Sequence, residues 1–153
     1  MNLSLDKNCL KNSVQILNQY LADVYSLYLK THLFHWNVTG LSFYSLHKLF
    51  DDQYSALYES VDEIAERIRS LDSFVVASFS EFQKTTCLKE APKKLDAVSM
   101  VSHLLKDHEK IIEHMRQWVL ELGEWNDKAT EDYFIGRLAE HEKMAWMLRA
   151  HKE

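Results

Sequence analysis

Four side chains able to bind a metal ion recur at helical spacing on one stretch of the chain. His47 and Asp51 are four residues apart, and so are Asp62 and Glu66. At ~100° per residue these four fall within an arc of about 100° on a helix. The apolar series Phe50, Tyr54, Leu57, Val61, Ile64, Ile68 and Leu71 forms a second stripe on the same helix, centred about 110° away. The helix therefore carries an apolar face and a ligand face, and the ligand face does not point into its own core. Asp51 and Asp62 are eleven residues apart, about 16 Å along the axis at ~1.5 Å per residue. One ion with bonds of ~2 Å cannot span that gap. Either the two pairs are unrelated, or a second copy of the helix completes the site. The pairs His47/Glu66 and Asp51/Asp62 share one midpoint, between Ala56 and Leu57. An antiparallel copy about a dyad there sets His47 and Asp51 against Asp62 and Glu66 of the partner subunit, with Ser55 opposite Tyr58. Such a contact makes two equivalent sites per dimer, and the shared face favours it.

One further donor, His35, stands in His35-Trp36-Asn37 at the end of the preceding helix, across a short turn from His47. Two imidazoles and three carboxylates, with no thiolate, suit iron or manganese better than a soft metal, and zinc would compete for the same ligands. Hard anionic oxygen also favours iron in its higher charge state.

Four helices are needed to hold these residues. The first is expected from about Asp6 to Val38 with Val14, Leu17, Leu21, Val24 and Tyr28 inward. Thr39-Gly40-Leu41 closes it, and Ser42 is placed to cap the second helix, which runs to about Leu71. Residues 72–94 hold the only proline, Pro92, and many Ser and Thr. They read as a crossover with room for a short helix, joining second and third helices that are parallel neighbours. The third carries Val98, Val101, Leu105, His108, Ile112, Met115, Val119 and Leu122 and ends at Gly123. The fourth starts near Thr130 and carries Phe134, Leu138, His141, Ala145 and Leu148. The expectation is one all-α domain over residues 1–153, a four-helix bundle.

Composition agrees. The chain has 153 residues, 46% of them hydrophobic, with only three Gly and one Pro. So few chain breakers argue against a sandwich, a barrel or a Rossmann sheet, and no Gly-rich phosphate loop is present. A net charge of −5 disfavours general attraction to nucleic acid or anionic lipid. Two cysteines, Cys9 and Cys87, are too few for a disulfide framework and read as inert thiols in a reducing compartment. With no apolar run of ~20 residues and no signal-peptide pattern at the first residues, the expectation is a cytoplasmic protein.

The run His35-Trp36, Gly40, Phe43, His47, Asp51 and Asp62-Glu63-Ile64-Ala65-Glu66-Arg67 resembles the Dps family, the DNA-protection-during-starvation proteins or mini-ferritins of the ferritin-like superfamily. His141-Glu142-Lys143 and Ala145-Trp146-Met147-Leu148-Arg149 are similar to that family's C-terminal signature. The resemblance implies a ferritin-like bundle and a ferroxidase centre between subunits. His35, His47 and Asp51 would come from one chain, and Asp62 and Glu66 from its two-fold mate. It implies a hollow homododecamer that oxidises Fe(II), preferably with hydrogen peroxide, at di-iron sites and stores the ferric mineral. Trp36 resembles the aromatic neighbour of that site, able to quench or relay oxidising equivalents. The resemblance also implies an acidic iron-entry pore where the third helix meets the fourth, for which Glu121, Glu124, Asp127, Glu131 and Asp132 are available.

Some positions depart from the family. Asp72-Ser73 stands where a Gly pair is frequent, and the first residues offer only Lys7 and Lys11 instead of a dense cationic tail. An acidic subunit without such a tail should repel phosphate backbones, so weak or no DNA binding is expected. The competing function is a DNA-compacting cage with little ferroxidase activity. The Glu-x-x-His pairs of single-chain di-iron bundles are absent. His108 and His141 read as hydrogen-bonded core residues, His32 as second shell or merely buried, and His103, His114 and His151 as surface.

Overall fold

The computed structural model describes residues 3–152, which form five α-helices and no strand. They are α1 (Lys7–Asn37), α2 (Phe43–Ser70), α3 (Phe79–Thr85), α4 (Ala97–Glu124) and α5 (Lys128–Ala150). The four long helices make a ferritin-like bundle, and α3 is the short helix inside the crossover.

Local chemistry accounts for most of the boundaries. Asp6 caps α1, its carboxylate accepting from the amides of Asn8 and Cys9 at 2.8 and 2.9 Å. Asp96 does the same for α4, accepting from Ser99 at 2.7 Å. Gly40 takes φ +101°, a left-handed conformation that lets the chain reverse between α1 and α2. Ser42 occupies the cap position of α2, but its side chain makes no capping bond. The turn is closed by main-chain bonds instead, Phe43 N–H donating to the Gly40 carbonyl at 3.0 Å.

The ends of α2 and α4 both follow the Schellman pattern with a non-glycine residue in the left-handed position. Asp72 has φ +60°, with Asp72 N–H donating to Arg69 and Ser73 N–H to Ile68. Asn126 has φ +60°, with bonds from Asn126 to Gly123 and from Asp127 to Leu122. Gly123 therefore lies inside α4 rather than ending it, and a Cβ there would sit 3.0 Å from the Glu131 carboxylate. Because a left-handed Asp carries a steric cost that Gly lacks, Asp72→Gly should raise stability by about 0.5–1 kcal/mol. A denaturant midpoint that stays level or falls would refute this.

Helix α1 packs against α2, α3 and α4, and α4 packs against α5. Arg67 near the end of α2 donates to Asp127, just beyond the end of α4, at 3.0 Å, so α2 and α4 run in the same direction. Polar bonds carry α2 to α5: Gln53 Nε2 donates to the Met144 carbonyl, and Arg67 donates to Thr130 Oγ1. α2 and α4 are thus parallel at opposite corners rather than neighbours, because α1 lies between them on one side and α5 on the other.

The core is built from Leu17, Leu21, Val24, Phe34, Phe50, Leu57, Ile64, Ile68, Leu104, Ile111, Met115, Phe134 and Leu148, among others. Val98, expected inward, is 65% exposed. Met100, Val101 and Leu104 take the inward positions of that turn. A chain of polar groups crosses the core: the Tyr20 hydroxyl lies 3.0 Å from His141 Nε2, and His141 Nδ1 lies 2.9 Å from His108 Nδ1. Both histidines are hydrogen-bonded core residues, as expected.

Candidate metal centre

The turn between α1 and α2 sets two imidazoles face to face. The rings of His35 and His47 lie 3.7 Å apart at 20°. His35 Nδ1 is 2.8 Å from the His47 main-chain oxygen, and His47 Nδ1 is 2.9 Å from that of His35. A carbonyl oxygen only accepts, so each Nδ1 must carry the proton and donate it. The neutral rings then keep their lone pairs at Nε2. A backbone carbonyl on one ring nitrogen is the outer contact that orients metal-bound histidines and fixes their tautomer. Each histidine here orients the other.

Asp51 lies one turn beyond His47. The Tyr54 hydroxyl donates to its carboxylate and Lys48 approaches it at 3.1 Å, and together they hold the Asp51 carboxyl below the usual range. Lys48 also pairs with Asp52 at 2.8 Å. Both ion pairs are solvent-exposed and contribute little to stability, so a lysine is a displaceable cation at Asp51.

Tyr54 belongs to the apolar stripe by its spacing but is half-buried at the border of the two faces. Its ring stacks on His32 at 4.0 Å and 19° and meets His35 edge-on at 5.2 Å. His32 also lies 4.0 Å from the Trp36 ring. The contacts thus run Trp36, His32, Tyr54, Asp51. Trp36 is 60% exposed and touches His32, one helical turn back, because sequence neighbours on a helix point ~100° apart. Burial first, and then the His35 ring, lower the His32 pKa.

Asp62 and Glu66 are exposed on α2, further along the helix. Among the described residues, the three metal-binding groups whose ligand atoms do come within 4.8 Å of one another are Asp23, Cys87 and His114. One chain therefore pairs His35 with His47 and sets Asp51 one turn beyond, but the ligand atoms of these three do not all come within 4.8 Å of one another, and Asp62 and Glu66 stand further along α2.

Of the acidic residues at the α4–α5 turn, Asp127 is not free to line a pore. It is 2% exposed, caps α5 through Thr130, and binds Arg67. Glu131 pairs with Lys128 at 2.7 Å. His103 and His114, expected at the surface, are half-buried, while His151 is exposed.

Comparison with known proteins bears on the family and the fold. The ferritin-like domain family matches residues 14–153. DNA protection during starvation protein 2 of Bacillus anthracis is 35% identical over 140 residues, covering 92% of this chain and 96% of that protein. The chain belongs to the Dps family of ferritin-like proteins. An uncharacterised low temperature-induced protein of Nostoc sp. is 40% identical over 155 residues, 100% of this chain and 87% of that one. The solved structure of a Dps protein from Vibrio cholerae O1, described as a member of a broad superfamily of ferritin-like diiron-carboxylate proteins, superposes with a TM-score of 0.94 at 31% identity. It covers 100% of this chain and 97% of that one. No helix of the described residues is long and apolar enough to cross a membrane.

Proposed function

We propose that this Dps-family protein is a ferroxidase and iron-storage mini-ferritin whose reactive centres are shared between two chains. His35, His47 and Asp51 of one chain and Asp62 and Glu66 of the two-fold mate would bind a pair of Fe(II) ions as substrate. The observation that carries this reading is the reciprocal His35–His47 lock, which commits both Nδ1 atoms to main-chain carbonyls and leaves both Nε2 atoms for a ligand, with Asp51 one helical turn beyond His47. Nitrogen and carboxylate oxygen without sulfur fit iron, with zinc or manganese as competitors.

The surface around the pair supports a second copy. Leu29, Leu33, Trp36, Tyr58 and Phe79 are exposed on the single chain, and Leu29, Leu33 and Phe79 line one cavity of about 320 Å³ between α1 and the crossover. Apolar side chains clustered in this way mark an interface. A two-fold contact through α2 would bring Asp62 and Glu66 to the mate's histidines. Repetition of such contacts would build the hollow homododecamer of mini-ferritins, in the cytoplasm.

In the reaction, two Fe(II) give one electron each to hydrogen peroxide, yielding two Fe(III) and two hydroxide ions. This two-electron step produces no hydroxyl radical, which is the protective value of the chemistry. The carboxylates favour the more highly charged product, and the ferric ions then pass to mineral in the cavity. Lys48 must leave Asp51 as iron arrives. The Trp36–His32–Tyr54 stack lies where a stray oxidising equivalent could be absorbed. Protection of DNA would be chemical rather than by coating, since the chain carries −5 charge.

The test loads protein with Fe(II) without oxygen, adds peroxide, and follows ferric absorbance. Asp62→Ala should slow oxidation by more than the roughly 10–100-fold that loss of an outer contact costs at a metal site. Oxidation at the native rate in that variant would sink the proposal.

A further inference from the structure

Away from the histidine pair, three groups from separate parts of the chain meet where the crossover closes over α1 and α4. Asp23 of α1, Cys87 just beyond α3 and His114 of α4 bring one ligand atom each within 4.8 Å of the others. We propose that this cluster is a second metal site, distinct from the α2 centre, that binds a zinc-class divalent ion through the Asp23 carboxylate, the Cys87 thiolate and the His114 imidazole.

The donor set is the first argument. Carboxylate, thiolate and imidazole together are the ligands of zinc and its cobalt substitute, and the sulfur separates this site chemically from the nitrogen–oxygen set on α2. The second argument is the support around Asp23. It is fully buried, and its Oδ1 accepts from Thr86 Oγ1 at 2.8 Å and from the Cys87 amide at 2.7 Å. Its Oδ2 accepts from Gln19 Nε2 at 3.1 Å and keeps a lone pair for a further partner. Donors that fix a carboxylate in this way are the outer contacts expected of a metal ligand. The same two bonds from residues 86 and 87 hold Cys87 beside it.

Charge is the third argument. Among the described residues no lysine or arginine forms an ion pair with Asp23, although a buried carboxylate calls for a compensating charge. Cys87, as the thiolate that a metal binds, would set a second negative charge beside Asp23. A dication between the two replaces their repulsion with attraction to a shared centre. On binding, the S–H bond breaks, a metal–sulfur bond forms, and the proton leaves to solvent.

The exit for that proton is visible. Gln19, Cys87, His114, Gln117 and Trp118 line an open cavity of about 250 Å³. Three protein ligands with the fourth position facing such a cavity leave room for a water molecule. The ion would tie α1, the crossover and α4 together beside the hydrogen bonds of Asp23 and Gln19 to the crossover.

Cobalt(II) tests this on the intact protein, because cobalt bound to a thiolate shows a near-ultraviolet charge-transfer band that nitrogen–oxygen sites lack. Titration should produce the band, saturating at about one ion per chain and bleached by Zn(II). Cys87→Ser should abolish it, and Cys9→Ser and Asp62→Ala should retain it. His114→Ala should weaken cobalt binding at this site by about tenfold or more. Zn(II) should also slow reaction of Cys87 with a thiol reagent. Cobalt uptake without the band, or a band that survives Cys87→Ser, would overturn the proposal. Persistence of the band in Asp62→Ala keeps this outcome separate from that of the ferroxidase reading.

Discussion

Two inactive variants should restore each other when they are assembled together. His47→Ala and Asp62→Ala each remove one ligand from every centre, so each homogeneous assembly should lose nearly all peroxide-dependent Fe(II) oxidation. In a mixed two-fold pair the lesions segregate. One centre takes His47 from the Asp62→Ala chain and Asp62 from the His47→Ala chain, and is intact; the other carries both lesions. Random assembly makes half of the pairs mixed, so roughly a quarter of the centres should work. Co-expression of the two chains, followed by measurement of initial ferric absorbance, checks this. The control is a mixture of His47→Ala with Asp51→Ala, which lie on the same side of the proposed centre. There every centre keeps one lesion, and no recovery is expected. Recovery in the control, or none in the test mixture, would mean that the ligands are not divided between chains as proposed.

Much of the scaffold was legible because few residues interrupt it. The apolar stripes of α1 and α2 are regular enough to give the inward faces directly, and α1 starts beside Asp6 as expected, whereas Asp96 and Asp127 cap α4 and α5 at positions that no stripe singles out. The chain reversals were harder to read. Asp72 and Asn126 adopt left-handed conformations, but neither residue type demands one, so Gly123 drew the boundary that belongs to Asn126. The spacing of α2 placed Tyr54 in the core stripe because it stands at its edge, about 20° from His47 by helical rotation. Its stacking on His32 depends on where α1 lies, which no periodicity of α2 reports. The cluster of Asp23, Cys87 and His114 was out of reach for the same reason. Each residue sits on a different segment, with no common spacing, and they meet only because Lys30 and Asp23 fasten the crossover down through the Lys89 carbonyl, Thr86 and Cys87. The His35–His47 pair could be anticipated as proximity across a short turn, but the exchange of main-chain bonds that fixes both tautomers is a property of the folded turn.

Acid should destabilise this protein through its core histidines before most carboxylates titrate. Burial holds His108 at about 3, and burial followed by the neighbouring His108 holds His141 well below its ordinary value. One self-consistent bonding has the Tyr20 hydroxyl donate to His141 Nε2 and His141 Nδ1–H donate to His108 Nδ1. His108 Nε2 is buried without a partner. Neither ring has a place for an added proton. In the unfolded chain both histidines take up protons below about pH 6.5, whereas the folded chain does not, so the unfolded state binds more protons and stability falls as pH falls. The loss begins near pH 6.5 and continues toward about 3, where His108 titrates in the fold. At pH 5.5 it should reach at most about 1.4 kcal/mol per histidine, or roughly 3 kcal/mol for both. That corresponds to a fall of about 5–10 °C in the thermal midpoint relative to pH 7.5. Other groups also titrate, so the comparison is with the variant Tyr20→Phe, His108→Leu, His141→Phe, which replaces the whole polar chain by apolar groups and leaves no orphan. Its midpoint should fall less over the same interval. His141→Phe alone is a sharper perturbation at neutral pH, because it strands the Tyr20 hydroxyl and His108 Nδ1 in the core at a cost of about 1–3 kcal/mol each. If the triple variant and the native chain lose stability in parallel between pH 7.5 and 5.5, the acid response arises elsewhere and the core pair is not its source.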